Sequence, residues 1–248
     1  MNSIRLLSCG TTKAAGYAAD YLRKIGVYIC NDDEDHPSHL LLDVPSFRSD
    51  GTLRNGGQLD QLLPSLPQDC IICGGNLNHP MLQKFRSIDF LTDPLYLAEN
   101  AYITAEAALD VALPYLDITL RRCPILIIGW GRIGKCLARL LKSIGADVTV
   151  AARKESDRAM IHALGYRAAD TSSMEAELPH FRLIYNTAPE MVIDEERSLL
   201  CDSRCVKIDL ASAPGIAGEN VVIARGLPAI HFPESSGKLI AETFLRLI

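Results

Sequence analysis

The sequence lacks the features that would direct the protein to nucleic acid or to a membrane. Its 25 Lys and Arg residues are outnumbered by 30 Asp and Glu, so the formal net charge is -5 and there is no overall basic excess for nucleic-acid phosphates. No apolar stretch reaches the roughly 18–20 residues that span a bilayer. The N-terminal apolar run is too short for a signal peptide, and a Gly-containing turn follows it. We therefore expect neither a nucleic-acid partner nor a membrane partner.

The sequence also lacks a second cysteine pair that would complete a zinc site. Cys70 and Cys73 form a CxxC, but Cys201 and Cys205 do not have the matching spacing. We predict no metal, and we predict that the first pair packs in the core, because "DCIICGG" is an apolar, strand-like run. Eight cysteines without an export signal are typical of reduced thiols in the cytoplasm.

Two segments begin alike, with an apolar strand, a Gly-containing turn and a helix. They are "IRLLSCGTTKAAGYAADYLRKIG" from Ile4 and "CPILIIGWGRIGKCLARLLKSIG" from Cys123. Alternating strands and helices predict parallel sheets covered on both faces. The predicted fold class is α/β: two tandem Rossmann-like, doubly wound parallel-sheet domains with an interdomain cleft. We assign residues 1–101 to a substrate or catalytic domain, residues 102–234 to a dinucleotide-binding domain, and residues 235–248 to a C-terminal helix that packs back on the first domain.

Hydrophobic periodicity places the remaining elements. Strands are predicted at 39–45, 69–75 and 89–93, and later at "PILIIG", "DVTVAA", "RLIYNT", "CVKIDLA" and "AIHF"; a polar, Gly-rich loop covers 46–58. Helices are predicted at 99–116, 132–144, 155–164 and 194–200, and in the C-terminal tail. Thr104 is a candidate N-cap of the first of these, Pro114 should end or kink it, and Ser235 or Ser236 should cap the last.

The turn "IIGWGRIG" matches a dinucleotide-binding fingerprint in its proper context. Gly129 permits a tight turn, Gly131 permits close approach of a pyrophosphate, and Gly134 permits helix–strand packing. The N-terminus of the following helix, which includes Arg132 and Ile133, favours an anion. The alternative is a βα unit that merely tolerates glycines.

The end of the second strand of this unit, "VTVAARK", indicates which dinucleotide binds. An NAD site usually places an acidic residue here, and an NADP site places an arginine nearby. This chain has Arg153 and Lys154 and no preceding carboxylate, which predicts NADP(H), with NAD(H) as the alternative. A solvated basic turn is the structural alternative, and Arg132 is a second candidate for the cofactor phosphates.

Two later strand ends should lie at the same edge of the sheet as the Gly-rich turn. "IYNTAPEMV" offers Asn186 and Thr187 for the ribose or nicotinamide side, with Pro189 holding the loop. "DLASAPGI" offers Asp209, either as a cofactor contact or as a structural carboxylate that caps the turn.

Four stretches of this chain resemble the family of the A subunit of bacterial dipicolinate synthase, which is related to the D-2-hydroxyacid dehydrogenases and adenosylhomocysteinase. They are "IIGWGRIGKCLARLLKSIGADVTVAAR", "IYNTAPEMVI", "IDLASAPGI" and "GLPAIHFPESSGKLIAETFL". In "ENAYITAEAALDVAL", Asn100, Thr104 and Glu106 stand at matching positions. The resemblance implies an NADP(H)-type Rossmann domain, conversion of dihydrodipicolinate to dipicolinate during sporulation, and a flavoprotein-like B subunit.

The leading hypothesis is therefore an NADP(H)-dependent oxidoreductase, or one component of such an oxidoreductase, that acts on a small carboxylated heterocycle. The candidate catalytic residues are Glu106 and His231, and the candidate substrate-binding residues are Asn100, Thr104, Ser235 and Ser236. Two alternatives stay open: a non-catalytic NAD(P)-binding partner or sensor, and a diverged D-2-hydroxyacid dehydrogenase. Glu234, which stands where the family tends to have a lysine, favours the non-catalytic alternative. A homodimer is compatible with this architecture.

Overall fold

Each half of the chain builds its own parallel β-sheet. The computed structural model describes residues 4–32, 35–48, 50–54 and 56–248, so Ser49 and Asn55 of the predicted polar loop lie outside the described residues. One unit comprises Met1–Asn100 and Pro228–Ile248, and the other comprises Ala101–Leu227. The predicted class of two Rossmann-like α/β units is confirmed.

The described residues form the following strands and helices. The strands are β1 (Arg5–Ser8), β2 (Tyr28–Ile29), β3 (His39–Leu41), β4 (Ile71–Gly74), β5 (Ser87–Asp89), β6 (Pro124–Ile128), β7 (Asp147–Ala151), β8 (Arg167–Ala169), β9 (Leu183–Asn186), β10 (Val206–Asp209) and β11 (Val221–Ile223). The helices are α1 (Lys13–Lys24), α2 (Leu59–Leu62), α3 (Pro94–Ala112), α4 (Arg132–Ser143), α5 (Glu155–Ala163), α6 (Glu195–Leu199), α7 (Leu227–His231) and α8 (Pro233–Leu247).

Both sheets reverse their strand order next to their first strand. The first sheet has the order β2-β1-β3-β4-β5, and the second has the order β11-β10-β9-β6-β7-β8. Every strand pair in both sheets is parallel. The reversal falls between β1 and β3 in the first unit and between β6 and β9 in the second. In doubly wound sheets, ligands bind beyond the carboxyl ends of the strands at such a switch point.

The C-terminal helix α8 packs closely against α1 in the first unit. Phe244 is fully buried, and Ile240 is nearly so, in a core that includes Leu6 and Leu22. At Gly237, an added Cβ would lie 2.5 Å from the carbonyl oxygen of Ala14. Because real Cβ atoms do not approach so closely, glycine is required for this contact between the two helices.

Three predicted helix or strand starts are wrong, and the prolines explain why. Helix α3 begins at Pro94, so Thr104 lies in its interior, and α8 begins at Pro233 with Phe232 as N-cap rather than Ser235 or Ser236. The predicted strand "AIHF" lies in the short helix α7 and the N-cap of α8, and Pro228 is the second residue of α7. Proline favours the first turn of a helix because its fixed φ suits the helix and its missing N–H has no partner there.

Other boundaries differ at short elements. The predicted strand at 89–93 overlaps β5 only at Asp89, where that strand ends, and residues Phe90–Thr92 form a 3₁₀ turn instead. Strands β8 and β11 were not predicted, and both are three-residue strands at the two edges of the second sheet. Pro114 ends α3 as predicted, in a 3₁₀ turn over Leu113–Tyr115.

The predicted packing of the CxxC pair is confirmed. Cys70 and Cys73 are fully buried, and burial raises the pKa of Cys70 to about 11 and that of Cys73 to about 12. These thiols are therefore protonated core side chains at neutral pH. Among the described residues, no helix is long and apolar enough to cross a membrane.

Candidate functional site

The turn between β6 and α4 depends on two glycines for its shape. Gly129 has a φ of +102°, and a Cβ added to it would lie 2.5 Å from Thr187 Oγ1. A Cβ on Gly134 would run into the carbonyl oxygen of Gly129. Any larger residue at either position would push the turn away from the sheet or from its own helix. These are the roles that the sequence predicts for the first and third glycines of the fingerprint.

The second glycine of the fingerprint faces open space. Gly131 is the N-cap of α4 with a φ of -80°, and a Cβ added there would meet nothing within 4 Å. Among the residues that the structure describes, no side chain caps this helix, and its first turn has no acidic residue. Arg132 is exposed and Ile133 is half-buried at its first two positions. The helix N-terminus therefore keeps N–H donors for an anion from outside the fold.

A cavity of about 280 Å³ opens beside this turn. Its walls come from three consecutive strand ends of the second sheet: Gly129–Gly131 after β6, Ala151–Lys154 at β7 and Thr187–Glu190 after β9. The cavity lies wholly within the second unit, at the switch point of its sheet. It is thus where an open α/β sheet binds its ligand.

The β7 side of the cavity carries two exposed cations. Arg153 and Lys154 are both exposed, and the residues before them, Ala151 and Ala152, are buried and small. Arg158 supports this corner: its Nη1 donates to the carbonyl oxygens of Ala152 and Arg153 at 3.0 and 2.7 Å. Arg153 and Lys154 therefore extend from a turn whose backbone is held by hydrogen bonds from Arg158.

The β9 side of the cavity is fixed by hydrogen bonds. Thr187 donates through both its N–H and its Oγ1 to the carbonyl oxygen of Ile128, at 2.8 and 2.9 Å. Asn186 is fully buried; its Oδ1 accepts from Ala188 N at 3.1 Å and its Nδ2 donates to Ala188 O at 3.0 Å. The structure gives Asn186 the work of shaping the turn, whereas Thr187 and the exposed Pro189 line the cavity.

The sequence left two roles open for Asp209: a cofactor contact, or a structural carboxylate that caps the turn. Its hydrogen bonds in the structure are those of the second role. It is buried and accepts hydrogen bonds from Asn186 Nδ2, Ala211 N and Gly215 N at 2.9, 3.2 and 2.9 Å. The Arg225 guanidinium lies 3.5 Å from its Oδ2. The carboxylate therefore ties the ends of β9 and β10 together, and a contact with a cofactor remains a prediction.

The six predicted substrate and catalytic residues are divided between the two units. Thr104 is buried and Glu106 is exposed, both on α3 in the second unit. In the first unit, Asn100 and His231 are half-buried, Ser235 is exposed and Ser236 is buried near the start of α8. A substrate site formed by these residues remains a prediction.

Trp130 and Glu190 are among the cavity-lining residues that were not predicted as site residues. Trp130, the single tryptophan of the chain, lines the cavity from within the Gly-rich turn and stacks edge-on with Tyr166 at 6.0 Å. Glu190 lines the cavity from the loop after β9. A signal for both existed, because each lies inside a motif that the sequence already assigned to the cofactor. Among the described residues, no group of His, Cys, Asp or Glu could hold a metal ion.

Comparison with known proteins finds similarity to the A subunit of dipicolinate synthase, in agreement with the resemblance seen in the sequence motifs. It is 27% identical over 245 residues to the A subunit of dipicolinate synthase from Bacillus subtilis, covering 90% of this chain and 82% of that protein. The crystal structure of the A subunit of dipicolinate synthase from Bacillus halodurans superposes with a TM-score of 0.86 at 21% identity, covering 99% of this chain and 97% of that one.

More distant structures share the fold. A transhydrogenase from Sinorhizobium meliloti superposes with a TM-score of 0.73 at 13% identity, covering 97% of this chain and 83% of that one. No protein-family model matches the chain. The resemblance to the A subunit of dipicolinate synthase that the sequence motifs predict is thus confirmed, and the likeness extends beyond those motifs to 90% of the chain.

Proposed function

We propose that this chain is a nicotinamide-cofactor-dependent oxidoreductase, or one component of such an oxidoreductase, of the dipicolinate synthase A type, and that it binds NADP(H). The observation that carries the proposal is the cavity at the second switch point. One wall is an uncapped helix N-terminus behind Gly131, and another ends in Arg153 and Lys154.

The residues present fit a dinucleotide. The open space at Gly131 leaves room for a pyrophosphate against the N-terminus of α4, while Gly129 and Gly134 keep turn, strand and helix in close contact. Thr187 lies beside the turn and would face the cofactor from β9. When bound, the nicotinamide supplies the hydride-transfer chemistry, and the protein supplies orientation and electrostatics.

The choice of NADP(H) over NAD(H) rests on charge. Residues 151–154 offer two cations and no carboxylate for a ribose hydroxyl. A guanidinium suits a phosphate because it can donate two parallel hydrogen bonds. Arg153 and Lys154 would therefore hold the 2′-phosphate, and Arg132 would lie near the pyrophosphate.

The proposed substrate is a small carboxylated heterocycle such as dihydrodipicolinate. What supports it is the likeness to the A subunit of dipicolinate synthase. In this proposal Asn100, Thr104, Ser235 and Ser236 bind the substrate and Glu106 and His231 move protons. A homodimer, a cytoplasmic location and a flavoprotein-like B subunit belong to the same proposal.

Titration of the Trp130 fluorescence tests cofactor binding directly, since this single tryptophan lines the cavity. We expect NADPH to bind more tightly than NADH. Arg153→Asp should weaken NADPH binding by about 10- to 100-fold, the range for lost hydrogen bonds between charged groups. Arg139→Asp, at an exposed position of α4 outside the cavity, controls for the change in net charge. Equal or tighter NADH binding would contradict the 2′-phosphate argument.

A non-catalytic cofactor-binding protein is the second candidate function. The acidic residue Glu234 at the start of α8 favours it, because a carboxylate repels a dicarboxylate substrate. Oxidation of dihydrodipicolinate by the chain with NADP+ as the hydride acceptor, alone or with a flavoprotein partner, distinguishes the two. Turnover of 2-hydroxyacids instead would indicate a diverged D-2-hydroxyacid dehydrogenase.

A further inference from the structure

Glu190 faces the cation on which the proposed cofactor choice depends. Its carboxylate accepts from Arg153 Nη1 at 3.0 Å through Oε2 and at 3.3 Å through Oε1. Both side chains are largely exposed and both line the cavity. The ion pair thus connects the β7 and β9 walls of the same cavity.

The loop that carries Glu190 is fixed at both ends. On one side the amide of Asn186 holds Ala188. On the other, Val192 N donates to Gly215 O at 3.0 Å, and Arg197 Nη1 donates to Val192 O at 2.8 Å. A Cβ on Gly215 would lie 2.8 Å from the carbonyl oxygen of Glu190. The carboxylate can therefore change rotamer, but its backbone stays at the cavity wall.

This position opposes a 2′-phosphate in two ways. The bond to Glu190 occupies Nη1 of Arg153 and partly neutralises the guanidinium, and the carboxylate lies near a group of about two negative charges. A ribose 2′-hydroxyl imposes neither cost, because a carboxylate can accept its hydrogen bond.

We propose that Glu190 is a specificity-determining residue that lowers the preference for NADP(H) below what Arg153 and Lys154 alone would give. The inference rests on the proposed function, since it concerns the same cavity. It assigns the relative affinity for NADPH and NADH to residues after both β7 and β9, whereas the sequence motif assigned it to the end of β7 alone.

The test is the ratio of the dissociation constants for NADPH and NADH in Glu190→Gln. This isosteric change at an exposed side chain removes one charge and keeps the fold, which circular dichroism checks. NADPH should bind about three- to tenfold more tightly, as expected for removing one exposed like charge near a phosphate. NADH should bind equally well or slightly less well.

Glu196→Gln provides the matched control. It removes the same charge from an exposed position on α6 outside the cavity, so it should leave the ratio unchanged. An unchanged ratio in Glu190→Gln, or equal tightening of both cofactors, would overturn the inference while leaving the proposed function intact. If the unmodified chain binds neither cofactor, the proposed function fails and the inference fails with it.

Discussion

The two units begin with the same strand–turn–helix element and treat its helix N-terminus in opposite ways. In the first unit the turn after β1 is filled from inside by Asp43, which is 3% exposed. Its carboxylate accepts from Thr11 N at 3.0 Å, and from Thr12 N and Thr12 Oγ1 at 3.1 and 2.6 Å. In the second unit the corresponding space at Gly131 is open.

The difference arises at the strand across the switch point. Asp43 follows β3, which pairs with β1, and Thr187 follows β9, which pairs with β6. An aspartate at the first place supplies the anion that a helix N-terminus favours. A threonine at the second place donates to the Ile128 carbonyl and leaves the helix N-terminus uncapped. The same strand–turn–helix element is thus occupied by a carboxylate of the protein itself in the first unit and is a candidate anion site in the second.

The largest effect on NADPH binding should come from a side chain that fills the open space at Gly131. Gly131→Asp places a carboxylate at the N-terminus of α4, where an added Cβ meets nothing within 4 Å. We expect NADPH binding, measured by calorimetry, to weaken at least about 100-fold because of charge repulsion and occupation of the site. Gly131→Ala is the control and should weaken binding far less. Unchanged NADPH affinity in Gly131→Asp would contradict the claim that the open turn of the second unit binds the cofactor.

Opening the closed turn should instead cost stability. Asp43→Ala removes three hydrogen bonds and leaves two backbone donors without their acceptor, so the free energy of unfolding should fall by about 2–4 kcal/mol. Asp60→Ala, at an exposed position of α2, should change it little. Denaturant unfolding measures both, and NADPH affinity should stay as in the parent chain. A loss of NADPH affinity without a loss of stability would indicate that the cofactor binds in the first unit, which contradicts the account.

A smaller loss should follow from loosening the helix that covers α1. Gly237→Ala forces a methyl group against the carbonyl oxygen of Ala14, and overpacking of this kind costs about 1–3 kcal/mol. Gly16→Ala is a matched control in α1, because a Cβ there meets nothing within 4 Å. It should leave stability unchanged or raise it by up to about 1 kcal/mol. Equal effects of the two changes in thermal unfolding would contradict the close contact.

The sequence predicted those features that local patterns encode. The fingerprint around Gly129, Gly131 and Gly134 lies within six residues; Gly129 and Gly134 each meet a separate steric requirement, and Gly131 faces open space. The two α/β starts and the parallel class follow from the same local repetition. Helix starts were misplaced where Pro94 and Pro233 stand at the first helical position, although that proline signal was present in the sequence.

The features that sequence reasoning missed depend on contacts between distant residues. Asp43 reaches Thr12 across 31 positions, and Glu190 reaches Arg153 across 37. Local propensity carries no information on which carboxylate fills a turn or opposes a cation. The edge strands β8 and β11 escaped prediction because three residues show too little periodicity.

Hydrogen exchange with and without NADPH tests the central claim most directly. The amides of residues 129–134 and 187–190, on two walls of the cavity, should become more protected when NADPH is present. The amides of residues 10–15, beside Asp43, should exchange as before. Protection of the first unit's turn, or of neither turn, would contradict the assignment of the cofactor to the open switch point.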